Sequence, residues 1–285
     1  MTPVLIHINY FEQGQSLERA CKLTRELGGD GIEFRRKPPA FTGSDLEYLD
    51  EVSKAVEKHP LDWISFGGPG VDLMNPDAAF RQNEIEAAEK FYRKAASRFP
   101  LKIVNAFTGT LRNPDDSLHP HDYQHHGSAI ATDAQWEAAA EGFRHMGAVA
   151  GELGFRFAFE THGVYLHDSI EATLRLLKSI DSPNVGLLWD QANLMLFPES
   201  PALKDVLTSV GEQMFYVHLK NLLIPTSHFL AVSSLSGGII NIREQVNLLR
   251  SSGYDGPYCI EAPRPGDREQ FLKEDLAYIK ELLAS

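Results

Sequence analysis

Eight short apolar runs recur along this chain, each followed by a longer stretch with apolar residues at three- and four-residue spacing. They fall at residues 4–9, 31–35, 62–67, 102–108, 155–161, 185–190, 214–221 and 257–262. A strand that stays apolar at consecutive positions is buried on both faces, as parallel strands covered by helices are. One strand–helix unit takes about 30 residues, which is roughly the period here. Eight such units make a closed (β/α)8 TIM barrel, so we expect an α/β fold and a single domain over residues 1–285. No Pro/Gly/Ser-rich linker or shift of composition divides the chain. A doubly wound sheet is the competing topology, but the first run lacks the GxGxxG turn of that fold. The glycine-rich GGPGVD at residues 67–72 has neither the spacing nor the lysine of a phosphate cradle and reads as a loop.

Helix starts support the alternation. Ser16, Ser44, Thr132 or Asp133, and Asp168 or Ser169 precede amphipathic stretches as N-caps. Pro76 opens the third stretch at a first-turn position, and Gly28–Gly29 ends the first. Later helices are expected near residues 201–210, 242–251 and 268–283.

The last four runs share a second property. FAFE ends at Glu160, GLLWD at Asp190, FYVH at His218 and YCIE at Glu261. The steps between these residues are 30, 28 and 43. On neighbouring barrel strands, all four side chains meet at the C-terminal mouth, where barrel active sites lie. A polar residue ending one buried strand simply marks where that strand meets solvent. Four in succession point instead to a divalent metal held by three carboxylates and one imidazole. That donor set suits Mn²⁺ best, with Mg²⁺ or Co²⁺ as alternatives, and no organic cofactor is expected.

Side chains two apart on a strand share a face. His162 should therefore project beside Glu160, and Lys220 beside His218. Histidine can move a proton near neutrality, and a lysine can donate to a developing oxyanion. Their plain alternatives are a polar rim residue and a structural partner of Glu261. Glu33, Arg35, Asn193 and Arg264 are candidate substrate contacts, Arg264 and Arg35 as clamps for an anionic group. Asn193 reads first as a turn residue that holds Asp190, and second as a substrate contact. Asn9, Asn105 and Thr108 are weaker candidates, and Trp189, Phe66 and Phe107 could wall a pocket. The long connection 109–133 holds His119, His121, His125 and His126, and 222–241 holds His228. Both would lie over the mouth, as solvated loops or as lids from which one histidine reaches the substrate.

A net charge of −12 argues against nucleic acid. No apolar stretch approaches the length of a membrane span, and the N-terminus reads as a first strand and not as a signal peptide. Two cysteines, Cys21 and Cys259, without metal-ligand spacing read as small core residues. We expect a reduced, cytoplasmic enzyme with a small carbohydrate-like substrate and no nucleic-acid or membrane partner. A homo-oligomer is compatible with the sequence.

The segments FETHG, LLWDQANL, VHLKN and SGYDGPYCIEAP together resemble the xylose isomerase-like TIM-barrel superfamily, often labelled sugar phosphate isomerase/epimerase. The resemblance runs through the whole chain in order of elements. It implies a metal at Glu160, Asp190, His218 and Glu261, with the two glutamates as acid and base on either face of a substrate carbon. The tagatose/psicose epimerase branch usually has a histidine where Asn193 stands. ETH and HLKN are similar to the 3-dehydroshikimate dehydratase branch, in which residues matching His162 and Lys220 serve proton transfer. The extra ligands of the endonuclease IV branch are missing. The expected reaction is isomerisation or epimerisation through a metal-stabilised enediolate, with Glu160, His162 or Glu261 as the base. Dehydration or decarboxylation of a keto sugar acid or cyclic keto-polyol is the competing lyase outcome. A non-catalytic binding barrel is the third reading.

Overall fold

A computed structural model describes residues 2–68, 70–197, 201–226 and 229–285, the side chains of 224–230 excepted; His228 lies outside the described residues. Strands β1 (Val4–His7), β2 (Gly31–Arg35), β3 (Trp63–Gly67), β4 (Ile103–Ala106), β5 (Arg156–Glu160), β6 (Val185–Asp190) and β7 (Met214–Leu219) are followed by β8 (Asn221–Thr226), β9 (Phe229–Ser233) and β10 (Tyr258–Ile260). Eight of them form one parallel sheet in the order β3-β2-β1-β10-β7-β6-β5-β4. Its two ends, β3 and β4, pack together and nearly close a TIM barrel. Below that seam the Lys102 ammonium sits 4.1 Å from the centre of the Trp63 ring, and above it Leu73 N–H donates to the Thr108 carbonyl at 3.0 Å.

Helices α1 (Leu17–Leu27), α2 (Asp45–Lys58), α3 (Ala78–Ala96), α4 (Asp133–Leu153), α5 (Ile170–Ile180), the single turn α6 (Gln191–Leu194), α7 (Leu203–Val210), α8 (Ile242–Ser251) and α9 (Arg268–Ala284) follow the strands. Ser16, Ser44, Thr132 and Ser169 cap α1, α2, α4 and α5 through their hydroxyls. Ser44 with Glu47 and Thr132 with Gln135 form capping boxes, which satisfy two otherwise orphaned N–H groups each. Two expectations are corrected. Asp77 caps α3, leaving Pro76 outside it, because the Asp77 carboxylate accepts from Ala79 N–H. The connection 222–241 is no plain loop, because β8 and β9 pair as an antiparallel hairpin beside the mouth.

Two apolar layers follow from the strand period of two. Outward residues such as Ile6, Ile32, Phe66, Phe157, Trp189 and Val217 pack under the helices. Inward residues Leu5, Ile103, Ala158, Leu188, Tyr216 and Cys259 fill the barrel floor. Above that floor the inward positions turn polar, and this change of chemistry along the strands makes the site. Both cysteines are buried, and Cys259 ends up in the inner layer.

Candidate metal centre and active site

Ladder register sets the height of each polar side chain. Asp190 on β6 lies level with His218 on β7, and His218 lies level with Cys259 on β10. Glu160 ends β5 opposite Leu188, two residues below Asp190, and Glu261 immediately follows β10. One donor atom from each of Glu160, Asp190, His218 and Glu261 lies within 4.8 Å of the other three. The first three are buried and Glu261 is nearly so. His218 Nδ1 is 3.0 Å from Glu261 Oε2 and 3.8 Å from Glu160 Oε1.

Amide side chains hold the carboxylates. Asn193 Nδ2 donates to Glu160 Oε1 at 2.9 Å, and its backbone N–H donates to Asp190 Oδ1 at 3.1 Å. Asn193 therefore does hold Asp190, through the α6 turn, and it grips Glu160 as well. Asn105 Nδ2 donates to Glu160 Oε2 at 2.8 Å and to Glu33 Oε1 at 3.1 Å. Asn9 Nδ2 reaches Glu261 Oε1 at 3.1 Å from a 3-10 turn, Ile8–Phe11, where the sequence suggested strand. Thr161 locks the end of β5 to β6: its hydroxyl accepts from Asp190 N–H at 3.0 Å and donates to the Asp190 carbonyl at 3.1 Å.

Lys220 stands over this group. Its Nζ is 3.3 Å from Asn193 Oδ1, 3.4 Å from Glu261 Oε2 and 3.5 Å from Asp190 Oδ2. Burial alone would lower the Lys220 pKa, but Glu261, Asp190 and Glu160 carry it above its ordinary value. Burial opposes the charged form of His218 too, yet Glu33 and Glu160 push its pKa well up. Burial raises Asp190, with Lys220 opposing and the two glutamates adding to the rise. Glu261 is desolvated but held well below the usual carboxylate range by Lys220, His7 and His218. Two cationic groups thus sit among crowded carboxylates, the charge a divalent ion would supply. An oxygen-rich set of three carboxylates and one imidazole nitrogen fits such an ion.

Other sequence candidates lie elsewhere. Glu33 is fully buried, level with His7 and Ser65, and its Oε2 lies 3.0 Å from His218 Nε2. Arg35 is bound bidentately by Glu12, at 2.5 and 3.0 Å. Arg264 turns to α9, where it meets Asp275 Oδ2 at 2.6 Å and stacks over Phe271. His162 is half-buried between Phe107 and Tyr165, with Nδ1 2.9 Å from the Gly163 carbonyl. Among the described residues, no hydrogen bond ties it to the four clustered side chains. His126 is buried and spends both ring nitrogens inside its own loop, on Asn113 N–H and the His119 carbonyl. His119, His121 and His125 are exposed.

His167 and Asp168 escaped the sequence reading of the site. His167 is buried between Phe159 and Tyr165, and its Nδ1 makes a very short hydrogen bond to the Glu160 carbonyl. Asp168 accepts from Ser128 N–H at 2.8 Å, anchoring the connection after β4. Between them and His162, Val164 adopts a left-handed φ of 71°, which a β-branched residue rarely takes. Its carbonyl accepts from Leu111 N–H at 2.7 Å, so this bend ties the same connection down. Gly163 is required there, because a Cβ would lie 2.4 Å from the Tyr123 ring. Neither histidine spacing nor apolar period marked this loop.

A family model described as "Xylose isomerase-like TIM barrel" matches residues 21–282. The chain belongs to that family. It is also similar to an inosose dehydratase of Bacillus thuringiensis (strain Al Hakam), 27% identical over 150 residues, or 47% of this chain. That match spans about half the length of the relative, 49%. Solved structures that share the fold include two with a bound ion or sugar. A xylose isomerase-like TIM barrel protein from Mycobacterium smegmatis in complex with magnesium has a TM-score of 0.74 at 21% identity, covering 99% of this chain and 97% of that one. D-psicose 3-epimerase from Clostridium cellulolyticum H10 has a TM-score of 0.75 at 17% identity, covering 99% of both. Among the described residues, no helix is long and apolar enough to cross a membrane.

Proposed function

We propose that this chain is a divalent-metal-dependent isomerase or epimerase of a sugar or sugar derivative, cytoplasmic and without a nucleic-acid or membrane partner. Glu160, Asp190, His218 and Glu261 would hold the ion, Mn²⁺ first, with Mg²⁺ or Co²⁺ as alternatives. The observation that carries the reading is the placement of the two glutamates. They come from β5 and the end of β10, which β6 and β7 separate in the barrel wall, yet their carboxylates converge on one cluster. A substrate carbon bound between them would meet a carboxylate on either side. The ion, when bound, polarises a substrate carbonyl and acidifies the adjacent C–H. One glutamate then takes that proton and the other returns a proton to the opposite face, which inverts the centre. Asn193 and Asn105 fix Glu160, and Asn9 fixes Glu261, so neither base must reorganise as charge moves. Asn193 and Lys220 line the substrate side of the cluster. His162 serves as a proton shuttle at the rim, and Arg35 meets an anionic substrate group only by giving up Glu12. Glu33 and Arg264 drop out of the substrate set.

Lys220 favours a second reading, a dehydratase. Its ammonium lies within 3.5 Å of two of the acids, where it can protonate a departing β-hydroxyl. The C–H proton passes to a glutamate, the C–O bond breaks, and water and an enone result. The similarity to an inosose dehydratase supports the same reading. Incubation of the Mn²⁺-loaded protein with ketoses, keto-polyols and keto acids in D₂O separates the two. Deuterium at one carbon with an otherwise unchanged formula is the expected NMR result. Loss of water or CO₂ replaces it with the lyase. No metal-dependent turnover of any compound would leave only a binding protein.

A further inference from the structure

We infer that Glu33, on β2, is a positioning residue for the metal centre: it turns His218 so that Nδ1 faces the ion. The inference rests on the four-residue metal site proposed above and extends it. His218 Nε2 lies 3.0 Å from Glu33 Oε2, on the side of the ring away from Glu261. A metal-bound histidine is normally held by its second nitrogen donating to a carboxylate, which fixes the ring and strengthens the ligand. Here that carboxylate has no exposure and no room to move. Asn105 Nδ2 holds Glu33 Oε1 at 3.1 Å, and His7 Nε2 lies 3.8 Å from the same oxygen. Gly67 leaves the space it occupies, because a Cβ there would lie 2.5 Å from Glu33 Oε1. Asn105 donates to both Glu33 and Glu160, so one amide couples the imidazole's brace to a carboxylate of the cluster.

Among the described residues the geometry offers one rival arrangement. Glu33, His218 and Cys259 also bring one donor atom each within 4.8 Å. An ion there would take His218 through Nε2 and add a thiolate. Three groups with a single hard oxygen suit a softer ion than the oxygen-rich set above them. The hydrogen bond from Nε2 to Glu33 already occupies that side of the ring.

The test is Mn²⁺ affinity of metal-stripped protein, read from the free-Mn²⁺ electron paramagnetic resonance signal. Glu33→Gln, which keeps size and loses charge, is expected to weaken binding about 10- to 100-fold. Gly67→Ala, which crowds the carboxylate without touching it chemically, is expected to weaken it in the same direction. Glu160→Gln serves as the reference that removes a ligand. Failure of the unmutated protein to bind Mn²⁺ sinks the metal reading itself. Binding by the unmutated protein that Glu33→Gln leaves unchanged sinks only the role of Glu33. Should Glu33→Gln fail to fold, ¹⁵N NMR of the unmutated, Mg²⁺-loaded protein decides. His218 protonated at Nε2 supports the inference, and His218 protonated at Nδ1 overturns it. Co²⁺ loading gives a third reading, in which a thiolate-to-cobalt absorption band would place the ion on Cys259 and overturn it as well.

Discussion

His167 should make this protein lose about 2 kcal/mol of stability on mild acidification from pH 7.5 to 5. Its Nδ1 is committed to the Glu160 carbonyl, which fixes the proton on that nitrogen in the neutral ring. The buried Nε2 then has no hydrogen-bond partner among the described residues. Protonation would place an N–H with a full charge where the described residues offer no acceptor. Burial accordingly drives the His167 pKa down to about 3, against the opposing pull of the Glu160 carbonyl. Unfolded, the ring titrates near 6.5. Between those values the unfolded chain binds the extra proton, so stability rises with pH. The contribution is complete above about pH 6.5 and is lost progressively as pH falls toward 3. From pH 7.5 to 5 the loss from this one residue comes to about 2 kcal/mol, from RT ln of the ratio of the two binding polynomials. His167→Gln keeps an N–H donor for the carbonyl and cannot titrate. Urea unfolding of metal-stripped protein, followed by tryptophan fluorescence at pH 7.5, 6 and 5, measures both proteins. The variant should start lower at pH 7.5 and fall less, by about 2 kcal/mol over that range. Parallel curves for the two proteins would mean that His167 is not held neutral, and the reasoning fails.

Two further outcomes follow from the same geometry. Lys220→Met removes a cation from beside Asp190 and Glu261 without removing a metal ligand. Turnover should drop about 100-fold or more while Mn²⁺ affinity holds or improves, and a parallel loss of metal would make Lys220 structural. Asp168 is pushed up to about 6 by burial, with its bond from Ser128 opposing. The folded state therefore binds its proton more tightly, so Asp168 lends most stability below about pH 4, and this is lost as pH rises through 6. Asp168→Asn should abolish that segment of the stability–pH curve, and an unchanged segment in urea titrations rules Asp168 out as its source.

The barrel was legible because buried parallel strands and amphipathic helices have different periods, and the eight alternations lack the glycine-rich first turn of a doubly wound sheet. Glu160, Asp190, His218 and Glu261 were legible for a related reason: the strand-end position predicts height along the barrel axis. Height also decides which group Glu33 meets. Its place two residues before Arg35 resembles that of Glu160 before His162, but β2 pairs so that Glu33 lies level with His7, inside the barrel. Arg264 met Asp275, eleven residues on across a turn into α9, and no strand pattern carries that contact. Asn105 and Asn9 were visible only as weak candidates, since an amide announces no charge and its partners come from distant strands. His167 sits in a loop held by a left-handed Val164, and a backbone bend of that kind at a β-branched residue leaves no trace in sequence.

The central claim is that one divalent ion sits among Glu160, Asp190, His218 and Glu261. Anomalous diffraction at the manganese edge from crystals of the Mn²⁺-loaded protein tests it directly. A single strong peak within bonding distance of one atom from each of the four, absent in Asp190→Asn crystals, is the expected result. A peak on the Glu33–Cys259 side of His218, or no peak in the barrel mouth, would contradict it.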